Sequence, residues 1–278
     1  MPTLLAYIKI MRPLNVVIGI IGVLLGAYLT GHLAVNNIFW LTIVTVVTFT
    51  GAANAINDYY DYEIDKINRP ERPIPSGKIS RNGARVFAYV LFFIGLSASA
   101  LIRFEPFLLA AVSVVLLIGY SRWWKRQPII GNVVVSIMIA VAFFYGASAF
   151  GRLWAAWPPA FIGFVYTWGR EMIKDLEDVK GDAVEQAKTL PLLAGEIPAK
   201  LIASLLFLIL IFGVLVPYFL NIYNVYYLLT VVVGVDVPIV YITTQLWRSK
   251  TAKEYRRLSQ ILKVDMFVGL LAVFVGTL

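Results

Sequence analysis

The chain has no cysteine, only one histidine (His32), and only 14% charged residues over 278 positions. Without cysteine there are no disulfides, no thiolate metal site and no cysteine nucleophile. A single histidine argues against zinc or iron centres. A soluble domain carries about 25% charged residues, and 60% of this chain is apolar. A soluble fold of this length has no interior large enough for that many apolar side chains, so the bilayer is the expected solvent. No signal peptide with a cleavage site is read at the start; the first apolar stretch begins a series of spans.

The few charges are placed unevenly. No charged residue lies between Arg12 and Asp58. That gap suits two spans of about 20 residues each, with a break at Gly31, His32, Asn36 and Asn37. The same reading continued along the chain predicts nine helices, at about 14–30, 38–60, 84–102, 106–121, 129–150, 153–173, 199–220, 223–247 and 259–278. Together they form one all-α transmembrane domain over residues 1–278, arranged around a central cavity. With the N-terminus in the cytoplasm, 22 of the 24 Lys and Arg residues fall on the inner side; only Arg103 and Arg152 lie outside. Positive residues favour the cytoplasmic side during insertion, so the expectation is a multi-pass cell-membrane protein with its chemistry on the cytoplasmic face. The formal net charge of +8 is explained by this sorting, and no nucleic-acid partner is expected.

Most acids sit in two of the inner connections. Asn57, Asp61 and Asp65 are spaced i, i+4, i+8, which drifts only about 80° around a helix and makes one oxygen-bearing stripe. Glu171, Asp175, Asp178 and Asp182 fall within about 60° of each other if their helix runs that far; Gly181 is a candidate to end it first. Carboxylates crowded on one face repel unless a cation sits between them. Hard oxygen ligands point to Mg²⁺, which completes its shell with phosphate oxygens. Two clusters could hold two ions and clamp a diphosphate. The competing reading, acids paired with neighbouring Lys and Arg, is an even match for one such cluster and weaker for two on the same side.

Cationic residues follow each cluster. The stretch Asn68-Arg69-Pro-Glu-Arg72-Pro-Ile-Pro-Ser76-Gly77-Lys78 is stiffened by proline, and Lys188-Thr189-Leu-Pro191 follows the second. Arg72, Lys78 and Lys188 are the candidates for gripping phosphate. Asn57 and Asp61 precede Glu171 and Asp175 by 114 residues, the same offset that separates Arg12 from Arg126. Arg12-Pro13-Leu-Asn15-Val-Val also resembles Arg126-Gln-Pro128-Ile-Ile-Gly-Asn132-Val-Val. A shift of four spans keeps orientation, so a parallel 4+4 pseudo-repeat plus one helix is expected, with the two acidic ends facing each other.

Asn57-Asp58-x-x-Asp61-x-x-x-Asp65, followed by Arg72-Pro-Ile-Pro-Ser76-Gly77, resembles the first signature of the UbiA superfamily of intramembrane prenyltransferases. Asp175-x-x-Asp178-x-x-x-Asp182 resembles the second. The wording is most similar to the superfamily's archaeal lipid branch. That resemblance implies Mg²⁺-dependent transfer of a geranylgeranyl group from its diphosphate to the hydroxyl of geranylgeranylglyceryl phosphate, forming the second ether bond of archaeal membrane lipids. It implies a prenyl diphosphate donor, a lipid-like hydroxyl acceptor and the use of two Mg²⁺. Asp61 and Asp175 would hold the ions, with Asn57, Asp65, Asp178 and Asp182 around them, and Arg72, Lys78 and Lys188 would assist diphosphate departure. Arg12, Asn15, Lys125 and Arg126 are candidates for substrate binding, and Tyr120, Tyr145 and Trp168 for lining the prenyl cavity. Glu171 and Gly181 depart from the acid spacing of some relatives, which leaves the exact ligand set open. The rivals are an aromatic-acceptor prenyltransferase of quinone biosynthesis, a CDP-alcohol phosphotransferase, whose Asp-Gly…Ala-Arg pattern is missing, and a transporter, for which Asp236 beside Pro238 is the one pointer.

Overall fold

A computed structural model describes residues 2–184 and 187–278, and every regular element among them is helical. Its contacts divide the chain into two compact units. One holds the residues up to Trp124 with Val141–Trp157, and the other holds Lys125–Ala140 with Pro158–Leu278.

The first unit opens with a helix that the sequence reading left out, α1 (Pro2–Ile10), followed by α2 (Pro13–Tyr28). Pro13 offers no N–H and disfavours a helical residue before it. Arg12 breaks the helix in the left-handed region at φ 53°, and the chain bends by 51° here. The Asn36 side chain accepts a hydrogen bond from the Phe39 N–H at 3.2 Å and so starts α3 (Asn37–Tyr60). A short α4 (Tyr62–Asn68) continues it after Asp61. Ser80 caps α5 (Arg81–Ala100) in the same way, and Phe49, Ile56, Leu91 and Phe92 pack α3 against α5. Ile74 and Ile79 of the proline-rich connection are buried in the same core, which anchors that loop. Next come α6 (Phe104–Gly119), a π turn (Tyr120–Trp124) and α7 (Ile130–Ala149), whose second half belongs to this unit.

Within this unit α2 and α7 meet backbone to backbone. A Cβ placed on Gly146 would lie 1.8 Å from the Val23 carbonyl oxygen, and one on Gly26 would lie 2.1 Å from that of Phe143. Gly146→Leu is therefore expected to lose about 2–3 kcal/mol or more through overpacking. Gly22→Ala on the same helix, where nothing lies within 4 Å, should cost nothing. Thermal unfolding of the two variants in detergent checks the pair.

The second unit contains α8 (Trp157–Val184), entered through a 3₁₀ turn (Leu153–Ala156), and a short α9 (Leu190–Ala194). It continues with α10 (Glu196–Gly213), α11 (Val216–Phe219) and α12 (Val225–Val231). A π turn (Val232–Asp236) leads into α13 (Val237–Arg248), and α14 (Ala252–Val275) closes the chain. Gly181 does not end α8; the helix runs through it to Val184, so Asp182 is helical. The last helix starts seven residues earlier than expected because Thr251 and Glu254 form a reciprocal capping box.

Among the described residues seven helices are long and apolar enough to cross a membrane. The α1–α2 pair makes an eighth if it is taken as one bent span. The protein is thus an all-helical, multi-pass membrane protein. α8 is not among the seven: after Gly169 its sequence turns charged.

Candidate active site

The first acidic cluster is built by the end of α3 and the start of α4. Asp61 falls between the two helices, yet the backbone ladder crosses it. The Asp61 N–H donates to the Asn57 carbonyl at 2.9 Å and the Asp65 N–H to the Asp61 carbonyl at 2.8 Å. The stripe expected from the spacing therefore survives the break. Asn57 Nδ2 donates to Asp61 Oδ2 at 2.9 Å. Asp58, Asp61 and Asp65 are all buried, which is costly for a carboxylate unless it is paired.

Arg72 meets part of that cost. Its Nη1 lies 2.6 Å from Asp65 Oδ2 and 3.3 Å from Asp58 Oδ1. Arg12, at the α1–α2 bend, also donates to Asp58. Two residues expected to hold phosphate thus engage carboxylates, and Asp65, expected as a metal ligand, has one oxygen committed to Arg72. Asp58, which the spacing argument had set aside, ties together the bend, α3 and the proline-rich loop. Its only sequence signal was its place inside the acidic motif. Asn54 supports the same bend, donating to the Met11 carbonyl at 2.8 Å, and Asn15 Nδ2 is 3.4 Å from Asn54 Oδ1. Lys78 is exposed at the loop's end.

The second cluster lies on the last turns of α8. Glu171 is buried between Arg170 (3.1 Å) and Lys174 (2.9 Å). Asp175 Oδ2 accepts from Asn132 Nδ2 of α7 at 2.8 Å, a partner that sequence reasoning had assigned only to the repeat. Burial pushes the Asp175 carboxyl up to about 7; the Asn132 hydrogen bond and Lys174 oppose the rise, while Asp182 and Glu171 add to it. Asp178 is exposed and Asp182 half-buried on the same helix. The Lys188 N–H donates to the Arg126 carbonyl at 2.8 Å, so two of the expected anion-binding segments are held together, with both side chains exposed. Lys125 is half-buried next to them. Of the expected cavity aromatics, Tyr145 is buried and donates to Ser99 at 3.2 Å, a packing contact. Tyr120 and Trp168 are half-buried.

Every donor in these clusters is a carboxylate or amide oxygen, the set that hard cations prefer. Among the described residues no three Asp, Glu or His side chains gather into a cage. Magnesium does not need one, because one or two carboxylates with substrate phosphates complete its shell. The pairs Asn57–Asp61 and Asn132–Asp175 fit that mode.

The UbiA prenyltransferase family model matches residues 16–271. The chain belongs to the UbiA prenyltransferase family. UbiA relatives include the digeranylgeranylglyceryl phosphate synthase of Methanothermobacter thermautotrophicus, 35% identical over 98% of this chain and 95% of that protein. A solved structure described as digeranylgeranylglyceryl phosphate synthase in membranes superposes with a TM-score of 0.89. It is 29% identical and covers 100% of this chain and 99% of its own. A UbiA homologue from Archaeoglobus fulgidus, solved bound to GPP and Mg²⁺, shares the fold at a TM-score of 0.70. It is 16% identical over 97% of this chain and 99% of its own.

Proposed function

We propose that this UbiA protein transfers a geranylgeranyl group from its diphosphate to the free hydroxyl of geranylgeranylglyceryl phosphate, with Mg²⁺ as cofactor. The observation that carries the reading is the pair of oxygen-rich helix ends, Asn57–Asp61 and Asn132–Asp175, in a chain 35% identical to a relative of that name. In the transfer the allylic C–O bond breaks with its electron pair leaving on the diphosphate, the prenyl carbon bonds to the acceptor oxygen, and the hydroxyl proton passes to the released diphosphate or to water.

The residues divide the work. Asp61 and Asp175 hold the metal, two ions in this reading, with Asn57, Asp65, Asp178 and Asp182 completing the oxygen set. When bound, Mg²⁺ supplies positive charge against the departing diphosphate. The Asn57 and Asn132 amides fix the carboxylates they touch, and Arg72 keeps Asp65 and Asp58 in place. Exposed Lys78, Lys188 and Arg126 are available as point charges or forks for phosphate oxygens. Lys125, Arg12 and Asn15 are assigned to the acceptor's phosphate end. Nine spans follow if α8 crosses with its apolar first half and α1 leads into α2; a single domain with a parallel repeat is part of this reading. The charge asymmetry supports a cytoplasmic N-terminus and active site.

The test is direct. Purified protein given geranylgeranyl diphosphate, Mg²⁺ and either geranylgeranylglyceryl phosphate or an aromatic acid is expected to make the diether with the first acceptor. Chelating the metal should stop diphosphate release. Prenylation of the aromatic acid alone would move the assignment to quinone biosynthesis.

A further inference from the structure

Two acids play no part in the chemistry above. Asp236 and Asp265 lie in the middle of the apolar spans Val225–Arg248 and Ala252–Val275. They are only 9% and 4% exposed. The two helices close on each other at this level. A Cβ on Gly234 would meet Val268 at 2.5 Å, one on Gly269 would meet Val235 at 3.9 Å, and Asp265 lies within range of the Asp236 charge. The Oδ1 atoms of both are buried and have no hydrogen-bond partner among the described residues.

Nearby donors do not make up the deficit. The Tyr166 hydroxyl touches Asp265 Oδ2 at 2.9 Å and also the Leu262 carbonyl, so it has one hydrogen for two acceptors. Tyr227 donates elsewhere, to the Val214 carbonyl at 2.7 Å. The positive charge acting on Tyr166 is that of Arg170, which is engaged with Glu171. A π turn (Val232–Asp236) directly precedes Pro238, which has no N–H of its own. Such turns inside helices often mark functional positions. Lone pairs outnumber hydrogens here, and an unpaired buried carboxylate is costly.

We propose that Asp236 and Asp265, with the Tyr166 hydroxyl against Asp265, form an intramembrane site for one monovalent cation, sodium. A divalent ion is disfavoured: no third acid or histidine joins the pair among the described residues, and at mid-span no substrate phosphate is at hand to complete its shell as at the helix ends. The site is separate from both acidic helix ends, so Mg²⁺ kept saturating throughout leaves it unmasked.

The experiment measures the unfolding temperature of the full chain in detergent, at mildly alkaline pH, in sodium or choline chloride of equal ionic strength. Sodium is expected to raise it by about 2–4 °C with a saturating dose dependence. Asp236→Asn and Asp265→Asn should lose this dependence, and Tyr166→Phe should shift its midpoint to higher sodium. Equal temperatures in the two salts would overturn the site, including when acidification alone stabilises the protein, because the occupant is then a proton. A sodium effect that persists in both Asn variants would overturn it as well. If neither Asn variant folds, the wild-type dose curve and Tyr166→Phe still decide.

Discussion

Replacing Asp61 or Asp175 by Ala is expected to lower Mg²⁺-dependent diphosphate release by about 100- to 1000-fold, the scale at which single electrostatic stabilisers of a leaving charge act. Each carboxylate has an amide neighbour, Asn57 at 2.9 Å and Asn132 at 2.8 Å, so each variant leaves that amide without this partner. That should cost about 1–3 kcal/mol, and the folded protein should still be recovered from detergent. Isotope-labelled release of diphosphate, with unfolding temperature as the control, separates lost chemistry from lost fold. Full activity in either variant would remove that residue from the metal site. If both acids serve one diphosphate, the double variant should be barely slower than either single one, because residues that act as a unit are far from additive. Additive losses would assign them to separate steps.

Much of this was legible in the sequence because it depends on local spacing. The i, i+4 stripe of Asn57, Asp61 and Asp65 follows from helix geometry alone, and the hydrogen-bond ladder keeps it despite the break at Asp61. The apolar runs coincide with α2, α3, α5, α6 and α7 to within a few residues, whereas α8 ends later and α14 starts earlier than expected. What failed depended on competition or on distant partners. Gly181 looked like a helix stop, but one internal glycine costs about 1 kcal/mol, too little to end a 28-residue helix. The early start of α14 was readable in Thr251-x-x-Glu254, a capping pattern hidden among the charges of an expected loop. The roles of Arg12, Arg72 and Asn132 were different: their residue types suited phosphate or a repeat, and only tertiary contact reveals which carboxylate each one meets. The π turn before Pro238 was likewise invisible, since its proline signals a lost donor without saying how the helix adjusts.

Arg72→Ala is expected to be the most damaging single change to stability near the site. The guanidinium is the partner of buried Asp65 at 2.6 Å and a second partner of Asp58 at 3.3 Å. Removing it strands the Asp65 charge, while Asp58 keeps Arg12. Breaking a buried pair by deleting one partner typically costs about 3–5 kcal/mol, which should lower the unfolding temperature by about 6–15 °C. Arg72→Lys should fall between, because an ammonium keeps the charge but is more strongly hydrated than the guanidinium and sits on a more flexible stem. The decisive variant is Arg72→Ala with Asp65→Asn, which removes the stranded charge and should recover much of the lost stability. If Arg72 instead spent its charge on the diphosphate, Arg72→Ala would raise KM for the donor with the unfolding temperature unchanged, and Asp65→Asn would rescue nothing. The ion-pair geometry favours the first outcome, because Arg72 is already paired with both Asp58 and Asp65.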